Sequence, residues 1–252
     1  MYKTVCYEKP FLKEVIVRVD FSSQIEALGK ALPLKIGNAA LKQFPISEPR
    51  KAIEQELRMH PTEFRHKQKE FTEWNFFGRE REKRLALGPA CIFVTYSKYS
   101  SYEALKEDFI SVLKSLFTHF NDLRGAKLGL RYINKIDFPN SNPFEWEPYI
   151  DPRLLGLFDR FKEKRPFLTR VFNIVDFQYD NSIHVKFQFG TPNPDFPATI
   201  RRSLFVLDID GYIQGLQDIS EIQTNLDEAH MHVQELFEES ITDNLRGKMN
   251  VK

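Results

Sequence analysis

The stretch GLRYINKIDF, residues 129–138, alternates large apolar side chains with polar ones in the two-residue period of a β-strand. The alternation predicts two faces, one carrying Leu130, Tyr132, Asn134, Ile136 and Phe138 and the other Arg131, Ile133, Lys135 and Asp137. We expect the first face in the core and the second, mixed face in solvent. A strand of this kind needs neighbouring strands and a layer of helices over its apolar face, so it points to a sheet covered by helices.

Asn134 is the polar exception on the predicted core face. A buried amide without hydrogen-bond partners costs about 1–3 kcal/mol. We therefore expect Asn134 to hydrogen-bond a neighbouring loop or to form a polar contact in a pocket. Together with Tyr132 it makes a candidate polar pocket.

Further strands are predicted on both sides of this stretch. Residues 14–21 (EVIVRVDF) alternate in the same way, and residues 73–99 suggest a meander of about three strands with the charged run 79–84 as an exposed hairpin tip. Three more runs follow: LTRVFNIVDFQY, SIHVKFQFG and RSLFVLDIDGYI, with Asp180–Asn181 as the turn between the first two. About seven strands with hairpin-sized connections predict a mostly antiparallel sheet.

Two main helices are predicted from capping signals and apolar periodicity. Ser100 and Glu103 have the spacing of a capping box before an apolar stripe that continues towards Gly125. Ser220 and Gln223 repeat the spacing before one continuous helix over 220–246, with Phe237 in the core. Its stripe is Ile222, Leu226, Ala229, Val233, Leu236, Phe237, Ile241 and Leu245. Shorter helices are expected between Pro49 and His60 and near 153–164.

The predicted class is α+β, with the two main helices packed on the antiparallel sheet. Two architectures fit the order of elements: a ferredoxin-like internal duplication, or one curved sheet gripping the long C-terminal helix. We expect residues 1–252 to form a single globular domain, or two lobes that meet near the Pro- and Asn-rich stretch 139–152.

Net charge and cysteine content exclude several classes of protein. Thirty-six basic against thirty-five acidic side chains give a net charge of +1, so no global field attracts nucleic acid or an anionic membrane. Cys6 and Cys91 are too few for a disulfide framework. The N-terminal residues lack the apolar run of a signal peptide, and no stretch reaches the roughly 18 apolar residues of a membrane helix. We expect a cytoplasmic protein without a membrane partner.

Common catalytic and cofactor motifs do not occur in the sequence. GxGxxG, GxxxxGK[ST], HExxH and GxSxG are missing, and DIDGY (208–212) lacks the spacing of a calcium loop. His230 and His232 would point about 200° apart on a helix, so we expect both at the surface or its boundary. His60 and His66, near Glu63, lack a complete set of metal ligands. The sequence favours a non-enzymatic protein without cofactor or metal.

Three segments resemble a sporadically distributed family of uncharacterised prokaryotic proteins. They are an early PxxxEV strand (Pro10, Glu14, Val15), the GLRYINKI strand, and a closing helix of the form LDxAHxxxxxxFExxITDxL that runs from Leu226 to Leu245. The resemblance spans nearly the whole chain. It implies a prokaryotic accessory system, of the phage-defence or toxin–antitoxin type, and supplies no catalytic residues.

We predict a binding or regulatory subunit that acts through protein–protein interaction with a partner encoded nearby. The sequence is also compatible with a homo-oligomer. Glu235 and Glu239, on the acidic side of the C-terminal helix, form its candidate partner surface. The alternative is nucleic-acid binding by a basic and aromatic sheet face. Its candidate contacts are Arg79, Arg81, Lys83, Arg84, Arg131, Lys135, Lys186, Arg201 and Arg202.

Overall fold

A computed structural model describes the backbone of residues 6–60, 63–179 and 182–250, and the side chains within these ranges except 54–67. The described part contains ten strands: β1 (Leu12–Phe21), β2 (Ile46–Ser47), β3 (Arg50–His60), β4 (Glu63–Phe77), β5 (Lys83–Leu87), β6 (Cys91–Tyr96), β7 (Gly125–Asp137), β8 (Val171–Gln178), β9 (Ile183–Thr191) and β10 (Leu204–Gln217). Its α-helices are α1 (Leu34–Gln43), α2 (Tyr102–His119), α3 (Gly156–Arg160), α4 (Ile219–Ser240) and α5 (Asp243–Met249).

All the described strands belong to one antiparallel sheet in the order β2-β4-β5-β6-β1-β7-β10-β9-β8, with β3 paired to β4. The α+β class with a large antiparallel sheet is confirmed, while the sheet is larger than the seven strands predicted. The helix expected between Pro49 and His60 is wrong, because this segment is β3. Its register with β4 runs from Arg50 opposite Glu73 to His60 opposite Glu63, and this ladder outweighs a weak local preference for helix.

The two halves of the sheet share part of their order of elements, although α1, β2 and β3 lie between β1 and β4 in the first half only. In the first half β1 is followed by the meander β4-β5-β6, which brings β6 beside β1, and then by α2. In the second half β7 is followed by β8-β9-β10, which brings β10 beside β7, and then by α4. Since β1 and β7 pair at the centre, α2 and α4 lie next to each other at the seam between the halves.

Both main helices cover the same face of the sheet. Val15, Tyr132 and Ile209 lie side by side across β1, β7 and β10, and all three are buried under the helices. The opposite face carries Arg131, which is neighbour to Asp210 in β10. Leu130, Tyr132, Asn134 and Ile136 therefore occupy the core face that the sequence alternation predicts.

The helix ends differ from the predicted ones by a few residues. The N-cap of α2 is Ser101, not Ser100, and its hydroxyl accepts from the N–H of Ala104. The N-cap of α4 is Asp218, which forms a capping box with Glu221 in place of the Ser220–Gln223 pair. Ser101 caps α2 without a capping box, because Ala104 stands at the third helical position, whereas α4 has a capping box with a carboxylate at the N-cap.

The predicted continuous helix over 220–246 is wrong, because α4 ends at Ser240. Ile241 leaves the helix to form an antiparallel bridge with Ile150, and the Thr242 hydroxyl then caps α5 by accepting from Leu245 N–H. Ile241 and Leu245 are still buried, since the bend returns the chain to the core. Phe237 was expected in the core, but it is only partly buried and packs against the edge of the core.

The remaining predicted segments are placed as follows. Near 153–164 the structure has the short α3. The stretch 139–152 packs back on the sheet, with Trp146 fully buried against Phe205 of β10. The Asp180–Asn181 turn and the side chains of His60 and His66 lie outside the described residues. No helix in the described ranges has the length and apolar character needed to cross a membrane.

Candidate functional site

A chain of three side chains links the sheet to the helix layer. Tyr99 Oη, from the loop before α2, lies 3.1 Å from Tyr132 Oη of β7, which lies 3.1 Å from His230 Nδ1 of α4. Tyr102, at the start of α2, stacks on the His230 ring with 3.8 Å between centroids and 7° between planes. The expectation that His230 lies at the surface boundary is wrong: its side chain is buried because Tyr102 closes over it.

Burial controls the charge of this cluster. Desolvation lowers the pKa of His230 to about 4, although the carboxylates of Glu103 and Asp227 act in the opposite direction. Burial raises the pKa of Tyr132 well above its ordinary value. His230 is therefore a neutral imidazole at pH 7, and Tyr132 stays a hydroxyl. Within the described residues, the buried Nε2 atom of His230 has no hydrogen-bond partner.

His230 lines a groove between α2 and α4, which we call the α2–α4 groove. Its volume is about 1020 Å³, and it is open to solvent. The apolar part of its wall comprises Ile110, which is almost buried, and Met231, which is 38% exposed. The charged part of the wall consists of Glu103, Glu107, Asp227, Glu228, Lys106 and Lys114. Four carboxylates against two ammonium groups make the groove acidic.

One polar cluster fixes the width of the groove at His230. Asp227 of α4 accepts from Tyr102 Oη at 2.7 Å, and the Lys106 ammonium lies 2.6 Å from both of its carboxylate oxygens. Tyr102 thus contacts α4 twice, by stacking on His230 and by donating to Asp227. The groove is a preformed feature, because these contacts tie the two helices together directly.

A second, smaller cavity of about 70 Å³ lies behind His230 and Gln234, which line both spaces. Tyr132 and Asn134 line this cavity, and the Asn134 amide donates to the Leu207 carbonyl at 3.4 Å. Both residues of the predicted polar pocket thus lie together on its wall. At this volume the cavity has room for a few water-sized groups only.

The wall of the small cavity also contains a buried carboxylate. Glu238 accepts from Tyr7 Oη at 2.8 and 3.0 Å and from Arg246 Nε at 2.9 Å. Tyr7 and Arg246 enclose Glu238, which is therefore buried although it neighbours the exposed Glu239. The resemblance segments GLRYINKI and LDxAHxxxxxxFExxITDxL meet at this point, since Tyr132 and Asn134 come from the first and His230 and Glu238 from the second.

The predicted nucleic-acid contacts do not form one surface. Lys83 points into the helix layer and pairs with Asp108 of α2, which also accepts from Tyr96 Oη. Arg131 on the open sheet face binds Asp208 through two hydrogen bonds of 2.7 and 2.6 Å. Three other candidates already have partners: Arg81 pairs with Glu48, Arg84 contacts Glu73 and Asn75, and Arg202 pairs with Asp195. Lys135 and Lys186 lie on the open face of the sheet. Arg79 and Arg201 are exposed in loops.

The predicted partner surface lies on the other flank of α4. Glu239 lines a shallow cleft towards β8 and β9, and Glu235 lies 3.9 Å from His232, whose ring stacks on Tyr179. Glu235 and Glu239 therefore lie away from the α2–α4 groove. Tyr99 and Tyr102 could not be recognised as site residues from the sequence, because they precede or begin α2 and come near His230 only in the folded chain.

Neither a family model nor a curated protein matches this sequence. The candidate site is therefore defined by its geometry, by the neutral buried imidazole of His230 and by the acidic groove beside it.

Proposed function

We propose that the protein is a non-enzymatic binding or regulatory subunit that takes up a segment of a partner protein in the α2–α4 groove. The observation that carries this proposal is the groove itself, which is preformed and lined by His230 with its unpartnered Nε2 within the described residues. A groove between two helices suits an amphipathic segment laid along it.

The charge of the groove defines the class of partner segment. Glu103, Glu107, Asp227 and Glu228 outnumber Lys106 and Lys114, so a segment with apolar and basic side chains fits. Met231 offers an exposed apolar contact in the wall of the groove.

Nucleic acid on the open sheet face, the alternative, has less support. Several of the phosphate contacts it needs would come from cations that already bind carboxylates, with Arg131 held by Asp208 and Arg81 by Glu48. A role in phage defence or in a toxin–antitoxin pair is supported by the sequence resemblance alone.

The proposal is tested by site-specific photocrosslinking. A photoreactive phenylalanine analogue replaces Met231 in the groove and, as the control, Leu216, which is 72% exposed at the end of β10. After irradiation in cells of the native source, we expect one protein to be crosslinked from position 231 and not from position 216, through a peptide that is basic and apolar. Equal crosslinking patterns at the two positions, or an acidic crosslinked peptide, contradict the proposal.

A further inference from the structure

β8 ends the sheet order and has one edge that no described strand pairs with. Its side chains are unusually apolar for an edge: Ile174 is 58% exposed and Val175 is 39% exposed. An edge strand with free backbone groups and apolar side chains is a template for pairing with another strand.

One hydrogen bond shows which residues of β8 direct their backbone groups to the open edge. The N–H of Tyr179, which continues the β8 ladder, donates to the Ile183 carbonyl at 2.8 Å. In an antiparallel pair, residues directed at the partner strand alternate with residues directed away from it. The odd-numbered residues of β8 therefore bond to β9, whereas Phe172, Ile174 and Asp176 direct their N–H and C=O groups to the open edge.

We propose that β8 pairs antiparallel with β8 of a second copy of this chain, about a two-fold axis at Asn173. In this register Phe172 lies opposite Ile174 of the second copy and Val171 opposite Val175. The outward backbone groups of Phe172 and Ile174 then bond to each other, which gives the alternation that an antiparallel ladder requires.

Charge selects this register over its neighbour. With the axis at Asn173, Arg170 lies opposite Asp176 of the second copy, and symmetry repeats this ion pair. Moving the axis to Ile174 would place Phe172 opposite Asp176 and lose both ion pairs. The Arg170 Nε donates to the Pro192 carbonyl at 3.0 Å and its guanidinium lies 4.2 Å from the Phe196 ring centroid, so the ion pair across the edge would use its remaining guanidinium nitrogens. Asp176 has no ion-pair partner in the described part of the chain.

A disulfide across the axis tests the register. In a background with Cys6→Ser and Cys91→Ser, Asn173→Cys places two thiols opposite each other in a non-hydrogen-bonded pair, where Cα atoms lie about 4.5 Å apart and a disulfide can form. Val175→Cys is the matched control, because it faces Val171 of the second copy. We expect a covalent dimer from mild oxidation of the first variant and mostly monomer from the second.

Exchange of charges tests the contact independently of the disulfide. Arg170→Asp and Asp176→Arg should each weaken the dimer about tenfold, because each places like charges opposite each other twice. The double variant should restore the dimer, since it exchanges the two charges; mass by light scattering over a concentration series measures all three proteins. A wild-type chain that stays monomeric, equal crosslinking at 173 and 175, or a double variant as weak as the single ones overturns the proposal.

Discussion

Tyr132 Oη lies 3.1 Å from His230 Nδ1, so one hydrogen bond joins the central strand of the sheet to the helix that forms one wall of the groove. His230 is buried, and its pKa is lowered to about 4 by desolvation. The stability of the fold at this point therefore depends on pH.

His230 should make the protein less stable as the pH falls. The unfolded chain takes up a proton near pH 6.5, whereas folded His230 resists it until about pH 4, so stability is present above pH 6.5 and is lost towards pH 4. Between pH 7.5 and 4.5 this difference amounts to about 2–3 kcal/mol. Urea unfolding at both pH values should show a smaller loss for His230→Gln than for wild type. His119→Gln, at an exposed position, is the control and should behave as wild type.

Arg246→Met should destabilise the fold by about 3 kcal/mol, because it leaves the Glu238 carboxylate buried beside Tyr7 with its charge uncompensated. Hydrogen exchange should also become faster at Glu8 and Lys9, whose N–H groups donate to carbonyls at the end of α5. Asp243→Asn is the control, since Asp243 is the fully exposed partner of Arg246 and its replacement leaves the bond from Arg246 to Glu238 in place. Equal stability of the two variants would refute the role given to Arg246.

The ion pair between Lys83 and Asp108 in the helix layer should also destabilise the fold when one partner is removed. Asp108→Ala should cost about 3–5 kcal/mol, because Lys83 then remains as a buried charge without its carboxylate. The triple variant Lys83→Met, Tyr96→Phe and Asp108→Leu removes every member of the cluster and should recover most of that loss. Chemical denaturation of both variants measures the difference. A triple variant as unstable as Asp108→Ala would contradict this assignment.

Phe237→Ala should cost less than a core substitution. Phe237 packs against the core edge and against Tyr7 at 6.4 Å between ring centroids, so we expect a loss of about 1–2 kcal/mol. Phe205→Ala, at a fully buried position, should cost about 3–5 kcal/mol. Melting temperatures of the two variants should therefore differ clearly. If Phe237→Ala lowered the free energy of unfolding as much as Phe205→Ala, Phe237 would belong to the core.

The sequence predicted those parts of the fold that local periodicity determines. The alternation in 129–138 placed Tyr132 and Asn134 on the buried face where the structure has them, and the spacing of apolar residues gave α2. It failed where pairing with a distant segment decides the conformation. β3 is a strand because of its ladder with β4, and the apolar stripe continues through Ile241 although the helix stops there.

The candidate site was less predictable than the fold. His230 stands beside the apolar stripe of α4, and nothing near it in the sequence shows that Tyr102 stacks on it or that Tyr132 bonds to it. Glu238 likewise has the pattern of a surface residue until Tyr7 and Arg246 close over it. Contacts of this kind join elements far apart in the chain, and a single sequence carries no signal for them.

Binding of the crosslinked partner to two charge-reversed variants tests the central claim most directly. Glu107→Lys with Glu228→Lys reverses charge in the α2–α4 groove, whereas Glu235→Lys with Glu239→Lys reverses the same charge on the other flank of α4. We predict that the first pair raises the Kd about tenfold or more, since each reversed contact costs roughly 1 kcal/mol, and that the second pair leaves it unchanged. An unchanged Kd for the groove variant, or a larger effect on the other flank, would contradict the account.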